Sequence, residues 1–116
     1  MKDSPLHTKS FEFALKIILI SKKLHQNGEY VLSKQLLRSG TAIGALIKEA
    51  EFAQSTADYI HKFSIALKEA NETFYWLELL FESTYLKRQD YTTETDLNKE
   101  LISMLVSTIK TLKSKP

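Results

Sequence analysis

Cysteine is absent from the 116 residues, which rules out disulfides, thiolate metal ligands and a thiol nucleophile, and suits a reducing compartment. Glycine and proline are scarce, at three and two residues. Both prolines, Pro5 and Pro116, lie near the ends of the sequence. So few turn-formers cannot supply the many reversals of an all-β domain, and the composition favours helix. Long apolar runs are missing too. The longest, Ile17 to Ile20, falls far short of the ~20 residues that cross a bilayer, and Met1 to Pro5 has no apolar signal core. A soluble cytoplasmic protein is expected. Neither sign of charge dominates: 16 basic and 14 acidic residues leave a net +2, too little to name a partner. The distribution says slightly more. Residues 1–28 carry five lysines against two acids and residues 92–116 four against three, whereas residues 56–91 hold four bases against six acids, so the ends are basic, the long helix is acidic, and helices of opposite sign can lie side by side.

What is present is helical periodicity. From Ser55 onward, Ile60, Phe63, Leu67, Ala70, Phe74, Leu77 and Phe81 recur every three or four positions with no Gly or Pro among them, the pattern of a helix packed against other helices. Ser55 and Asp58 supply an N-cap pair at its start. The spacing predicts helices over about 8–26, 31–53, 56–87 and 94–113, the first closed by Asn27-Gly28, the last opened by Thr93 with Asp96, and a frayed tail over Lys113 to Pro116. Short connections between them give an all-α, antiparallel up-down-up-down four-helix bundle with a long third helix. One domain over 1–116 accounts for the whole length. Helix 1 has more apolar residues than one face needs. Phe13, Ile17, Ile20 and Leu24 make a core face, and Phe11, Leu15, Ile18 and Leu19 make a second, which implies burial by a further surface such as another copy. In helix 2, Leu32, Leu36, Ile43, Ile47 and Ala50 face the core. Gly40 and Gly44 share a face, and since a mid-helix Gly costs roughly 1 kcal/mol relative to Ala, close helix packing is the expected reason for both.

Residues with chemistry are few. Asp58 and His61 have metal-ligand spacing but no companions to complete a shell, so neither metal nor cofactor is expected. No Ser, Thr, His and Asp fall into a nucleophile motif, and no Gly-rich loop follows a strand. No catalytic residue is assigned and the protein is read as not an enzyme. The polar constellation worth singling out is Gln35 and Arg38 on helix 2 with Glu69, Glu72 and Trp76 on helix 3. The last three share a face, and a guanidinium from the neighbouring helix can engage either carboxylate. A structural network fixing helix register or subunit pairing is the expectation, ahead of a ligand site.

The stretch Gln35-Leu36-Leu37-Arg38-Ser39-Gly40-Thr41-Ala42-Ile43-Gly44-Ala45 resembles the second-helix motif of the four-helix bundle proteins of 23S ribosomal RNA intervening sequences. Glu49-Ala50, Ala53-Gln54-Ser55, Asp58 to Lys62 and Ile65 to Leu77 are similar to that family's third-helix signature. The family usually has Asn where this chain has Leu46, so any polar contact of that Asn is missing here. The resemblance implies a bundle assembled as a homopentamer, with a function not established for most members. It also implies kinship with accessory proteins of reverse transcriptases in diversity-generating retroelements, where a basic pentamer contacts nucleic acid and the polymerase.

The expected function is a non-enzymatic homo-oligomeric scaffold that binds RNA, DNA or a nucleic-acid-processing protein. A protein-protein module that receives a partner helix is the alternative. In a pentamer the net charge becomes +10 (5 × 2), and Lys9, Lys16, Lys22, Lys23, Lys34, Lys110, Lys113 and Lys115 are the candidate phosphate contacts.

Overall fold

Apolar residues at helical spacing are buried in four antiparallel helices: α1 (Pro5–Gln26), α2 (Leu32–Ala50), α3 (Thr56–Glu82) and α4 (Arg88–Lys113). The structure is a computed structural model that describes residues 4–115. Met1 to Asp3 and Pro116, which belong to the expected signal-free start and frayed tail, lie outside the described residues. Successive helices pack on each other, and α1 meets α4 to close the bundle. The molecule measures 50 × 22 × 20 Å. Its core stacks Phe13, Ile17 and Leu24 of α1 on Leu36, Ile43 and Ile47 of α2, with Phe63, Ala70, Leu77 and Leu80 of α3 and Leu101 and Leu105 of α4. No helix among the described residues is long and apolar enough to cross a membrane.

The helix boundaries differ from the sequence expectation where capping is unusual. α1 begins at Pro5 rather than near residue 8, because Ser4 caps it by accepting the His7 N–H at 3.1 Å and Pro at the first helical position is pre-set for the turn. α2 ends at Ala50, short of residue 53, in the turn through Glu51 and Phe52. Its start is capped from outside the helix. The buried Glu29 carboxylate accepts the N–H groups of Val31, Leu32 and Ser33 at 3.3, 3.0 and 2.5 Å, taking up donors that no residue within the first turn satisfies.

α3 stops at Glu82 instead of running to 87, and α4 begins at Arg88 instead of 94. Ser83 turns its hydroxyl back to the Leu79 carbonyl at 2.6 Å. Thr84 then adopts a left-handed conformation (φ 69°) and the N–H groups of Tyr85 and Leu86 both return to the Leu80 carbonyl. This closes the helix as a glycine cap would, with a residue that gives no such signal in the sequence. Leu86 is buried and pins the turn to the core. Thr93 and Asp96 therefore sit inside α4 and cap nothing. Even so shortened, α3 has 27 residues, about 40 Å at 1.5 Å per residue, and is the longest of the four.

Candidate functional site

Three features outside the apolar core carry chemistry or recognition: a polar network between α2 and α3, an apolar face on α1 and α2, and the distribution of lysines. The network brings together all five residues singled out above. Arg38 donates through Nη1 to Glu69 at 3.1 Å and through Nη2 to Glu72, while its Nε reaches Gln35 at 3.4 Å. Trp76 donates its indole N–H to the same Glu72 oxygen at 2.9 Å. The bond from Arg38, then that from Trp76, holds the Glu72 carboxyl below its ordinary range, and the bond to Glu72 raises Arg38 in return. Everything closes within one chain. Beneath it the hydroxyls of Ser39 and Thr73 meet at 2.8 Å in the core, so α2 and α3 are registered by polar contacts at two depths.

Because Arg38 is about half exposed, the network is screened by solvent and its energy is small. Arg38→Ala is expected to cost about 1 kcal/mol or less at neutral pH, measured by urea unfolding. The lowered Glu72 contributes stability above the ordinary carboxylate range and loses it as pH falls through its folded value. The gap between wild type and Arg38→Ala should thus close below about pH 4, and a gap that persists in acid would show that Arg38 acts by packing.

The two helical glycines differ in their surroundings. A Cβ on Gly40 would stand 2.8 Å from Cγ2 of buried Ile17, so α1 and α2 approach there too closely for any side chain. Gly44 is not so confined. Its Cβ position lies 3.4 Å from Ser10 Oγ and 3.5 and 3.6 Å from the backbone O and C of Ser10, so a methyl just fits while the α1 backbone passes at contact distance. Gly44 also lines a groove of about 460 Å³ between α1 and α2, walled by Phe11, Ala14, Ile18, Thr41 and Ala45. From Phe11, Leu15 and Leu19 follow at one-turn intervals along α1, and the three are 63%, 48% and 67% exposed. These belong to the second apolar face expected of helix 1, and they stay exposed among the described residues.

The candidate phosphate lysines are not gathered into one patch. Lys22, Lys23 and Lys34 are exposed at the end of the bundle where α1 finishes and α2 starts, and Lys110, Lys113 and Lys115 are exposed at the other end. Lys9 is ion-paired with Glu100 at 3.0 Å, and Lys16 faces Glu94 across the α1–α4 seam. Among the described residues no group of three His, Cys, Asp or Glu side chains is arranged to hold a metal ion.

A family model described as 23S rRNA-intervening sequence protein matches residues 2–107. The chain belongs to this family. A crystal structure at 1.70 Å of a protein of unknown function, from the S23 ribosomal protein family of Bacteroides thetaiotaomicron VPI-5482, is similar at 52% identity with a TM-score of 0.89. The match covers 90% of this chain and 98% of the other. The search of curated proteins produced no match. Family membership thus fits the four-helix fold but brings no assigned activity to Arg38, Glu69 or Glu72.

Two polar residues of α4 escaped the sequence reading. Glu94 and Asn98 lie one turn apart and are buried, 5% and 0% exposed, with Glu94 Oε1 and both polar atoms of the Asn98 amide lacking any hydrogen-bond partner among the described residues. Their apolar neighbours along the buried stripe, Leu101, Leu105 and Ile109, follow helical spacing. The same period, carried back by a turn or two, reaches both polar positions.

Proposed function

We propose that this protein is a non-enzymatic scaffold of the 23S rRNA-intervening sequence family that assembles with copies of itself and presents its lysines to nucleic acid. The observation that carries the assembly is the apolar ridge Phe11, Leu15 and Leu19 running beside a groove of small residues, Ala14, Thr41, Gly44 and Ala45. A ridge of one copy fits the groove of the next, and a contact between unlike surfaces builds a closed ring when its rotation permits. Exposed apolar area of this kind is buried favourably at about 25 cal/mol per Å². The sequence resemblance supports five copies. It also supports, through the retroelement accessory proteins, a place beside a nucleic-acid-processing enzyme.

Light scattering on purified protein at micromolar concentration tests the assembly. Wild type is expected to show a multiple of the 13.3 kDa chain mass, and Leu15→Glu, which sets a charge in the middle of the ridge, should shift it to the monomer while keeping its helical circular dichroism. A monomeric wild type, or a Leu15→Glu protein of unchanged mass, sinks the proposal.

The nucleic-acid reading is supported by the repetition of Lys22, Lys23 and Lys34 at one end of every copy. A charge of +2 per chain multiplied around a ring attracts phosphate, with affinity that falls steeply as salt rises.

A further inference from the structure

On the flank of α1 away from the self-association groove, the α1–α4 seam opens into a groove of about 390 Å³. One wall carries Lys16 and Lys23 of α1, the other Asp90 and Glu94 of α4, and Leu19 and Ile20 of α1 also line it. Glu94 has no hydrogen bond and no ion pair within 4 Å among the described residues, although Lys16 stands near enough to be felt electrostatically. Burial first, and then the like charge of Asp90, push its carboxyl above the ordinary value, with Lys16 opposing them. A buried polar side chain without a partner is costly and uncommon in folded proteins. One that borders an open groove is placed to receive a donor from outside the chain.

The opposite wall restricts what that donor is. Lys16 and Lys23 balance Asp90 and Glu94, so a lone ammonium or guanidinium group gains no net attraction, whereas an occupant that carries an anion together with an N–H donor engages both walls. The half-buried Ile20 offers an apolar contact to the face of a ring, while Leu19, about 100° further round the helix, belongs to the exposed ridge. A nucleotide with an exocyclic amine has all three parts: a phosphate, a ring and a neutral N–H₂ group of the kind that carboxylates accept from cytosine.

We infer that this groove seats one nucleotide of a single strand, its phosphate on Lys16 and Lys23, its ring against Ile20, and the amine of cytosine or adenine donating to Glu94. The inference rests on the nucleic-acid reading above and adds a base preference to it. Uracil offers a carbonyl where cytosine offers its amine, so an ionised Glu94 disfavours it.

Fluorescence anisotropy with labelled oligo(C) and oligo(U) of about ten nucleotides, at low salt and about pH 8, tests the seat. Oligo(C) is expected to bind about tenfold more tightly, within the range of one good base contact. In Glu94→Gln the amide both donates and accepts, so the preference should fall to near unity with little loss of oligo(U) binding; a thermal melt checks that this isosteric variant is folded. The double variant Lys16→Ala/Lys23→Ala should weaken both oligomers alike. Equal binding of the two by wild type, or a preference that survives in Glu94→Gln, overturns the seat and leaves the nucleic-acid reading standing. No binding of either overturns both.

Discussion

Gly40→Ala is expected to destabilise the protein by about 1–3 kcal/mol, against the roughly 1 kcal/mol that Ala would otherwise gain over Gly within a helix. The new methyl would lie 2.8, 3.0 and 3.2 Å from Cγ2, Cγ1 and Cβ of Ile17, a fully buried residue that cannot swing away. The clash is specific to that pair, so it is testable as a coupling. Ile17→Ala alone should cost about 2–5 kcal/mol as a cavity, but it removes both of the nearest atoms. The double variant should therefore lose less than the sum of the single ones by about 1 kcal/mol or more. Chemical denaturation of the four proteins gives the cycle, and strict additivity would mean that α1 and α2 are not held apart by contact at this point.

The second large effect is at Asn98, whose amide lies fully buried in the core with neither polar atom paired. Asn98→Leu is expected to raise stability by about 1–3 kcal/mol, because it removes two unpaired polar atoms while filling the same branched shape. Asn98→Asp should do the reverse, lowering stability by about 3–5 kcal/mol at neutral pH, where an unpaired charge would be buried. Its loss should shrink in acid as the carboxyl takes up a proton. If Asn98→Leu instead weakens the fold, an internal water bridges that amide and the position is satisfied.

Periodicity made the bundle legible. The large side chains fully buried in α1 and α2, Phe13, Ile17, Leu36 and Ile43, fall on the stripes counted from the sequence. The α2–α3 network was legible for the same reason, since i, i+3 and i+4 spacing places Glu69, Glu72 and Trp76 on one side of α3 and Arg38 is the cation that reaches them. What stayed hidden was set by tertiary or irregular backbone geometry. Thr84 takes a left-handed cap that sequence reading assigns to Gly or Asn, so the α3–α4 turn was misplaced. Glu29 caps α2 from ahead of the helix, where no short motif announces it. The two glycines share a helix face and both meet α1 closely, but only the height of Ile17 and Ser10 on the opposing helix decides that a methyl clashes at Gly40 and just fits at Gly44. Glu94 and Asn98 were passed over because a polar residue on an apolar stripe is read as the stripe's edge, and here the stripe continues beneath them.

The four seams of the bundle differ in how far apart along the chain their partners lie. Three join successive helices through short connections, whereas the α1–α4 seam, marked by Lys9 against Glu100, brings together the two extremities of the fold. Loop-closure entropy makes such a long-range contact late to form and costly to reach. It is also the seam that holds an unpaired buried carboxyl and an open cleft. Consecutive hairpins would then assemble first and α1 would dock on α4 last, so that the cleft is completed only in the final step of folding and is the first part of the bundle to part again.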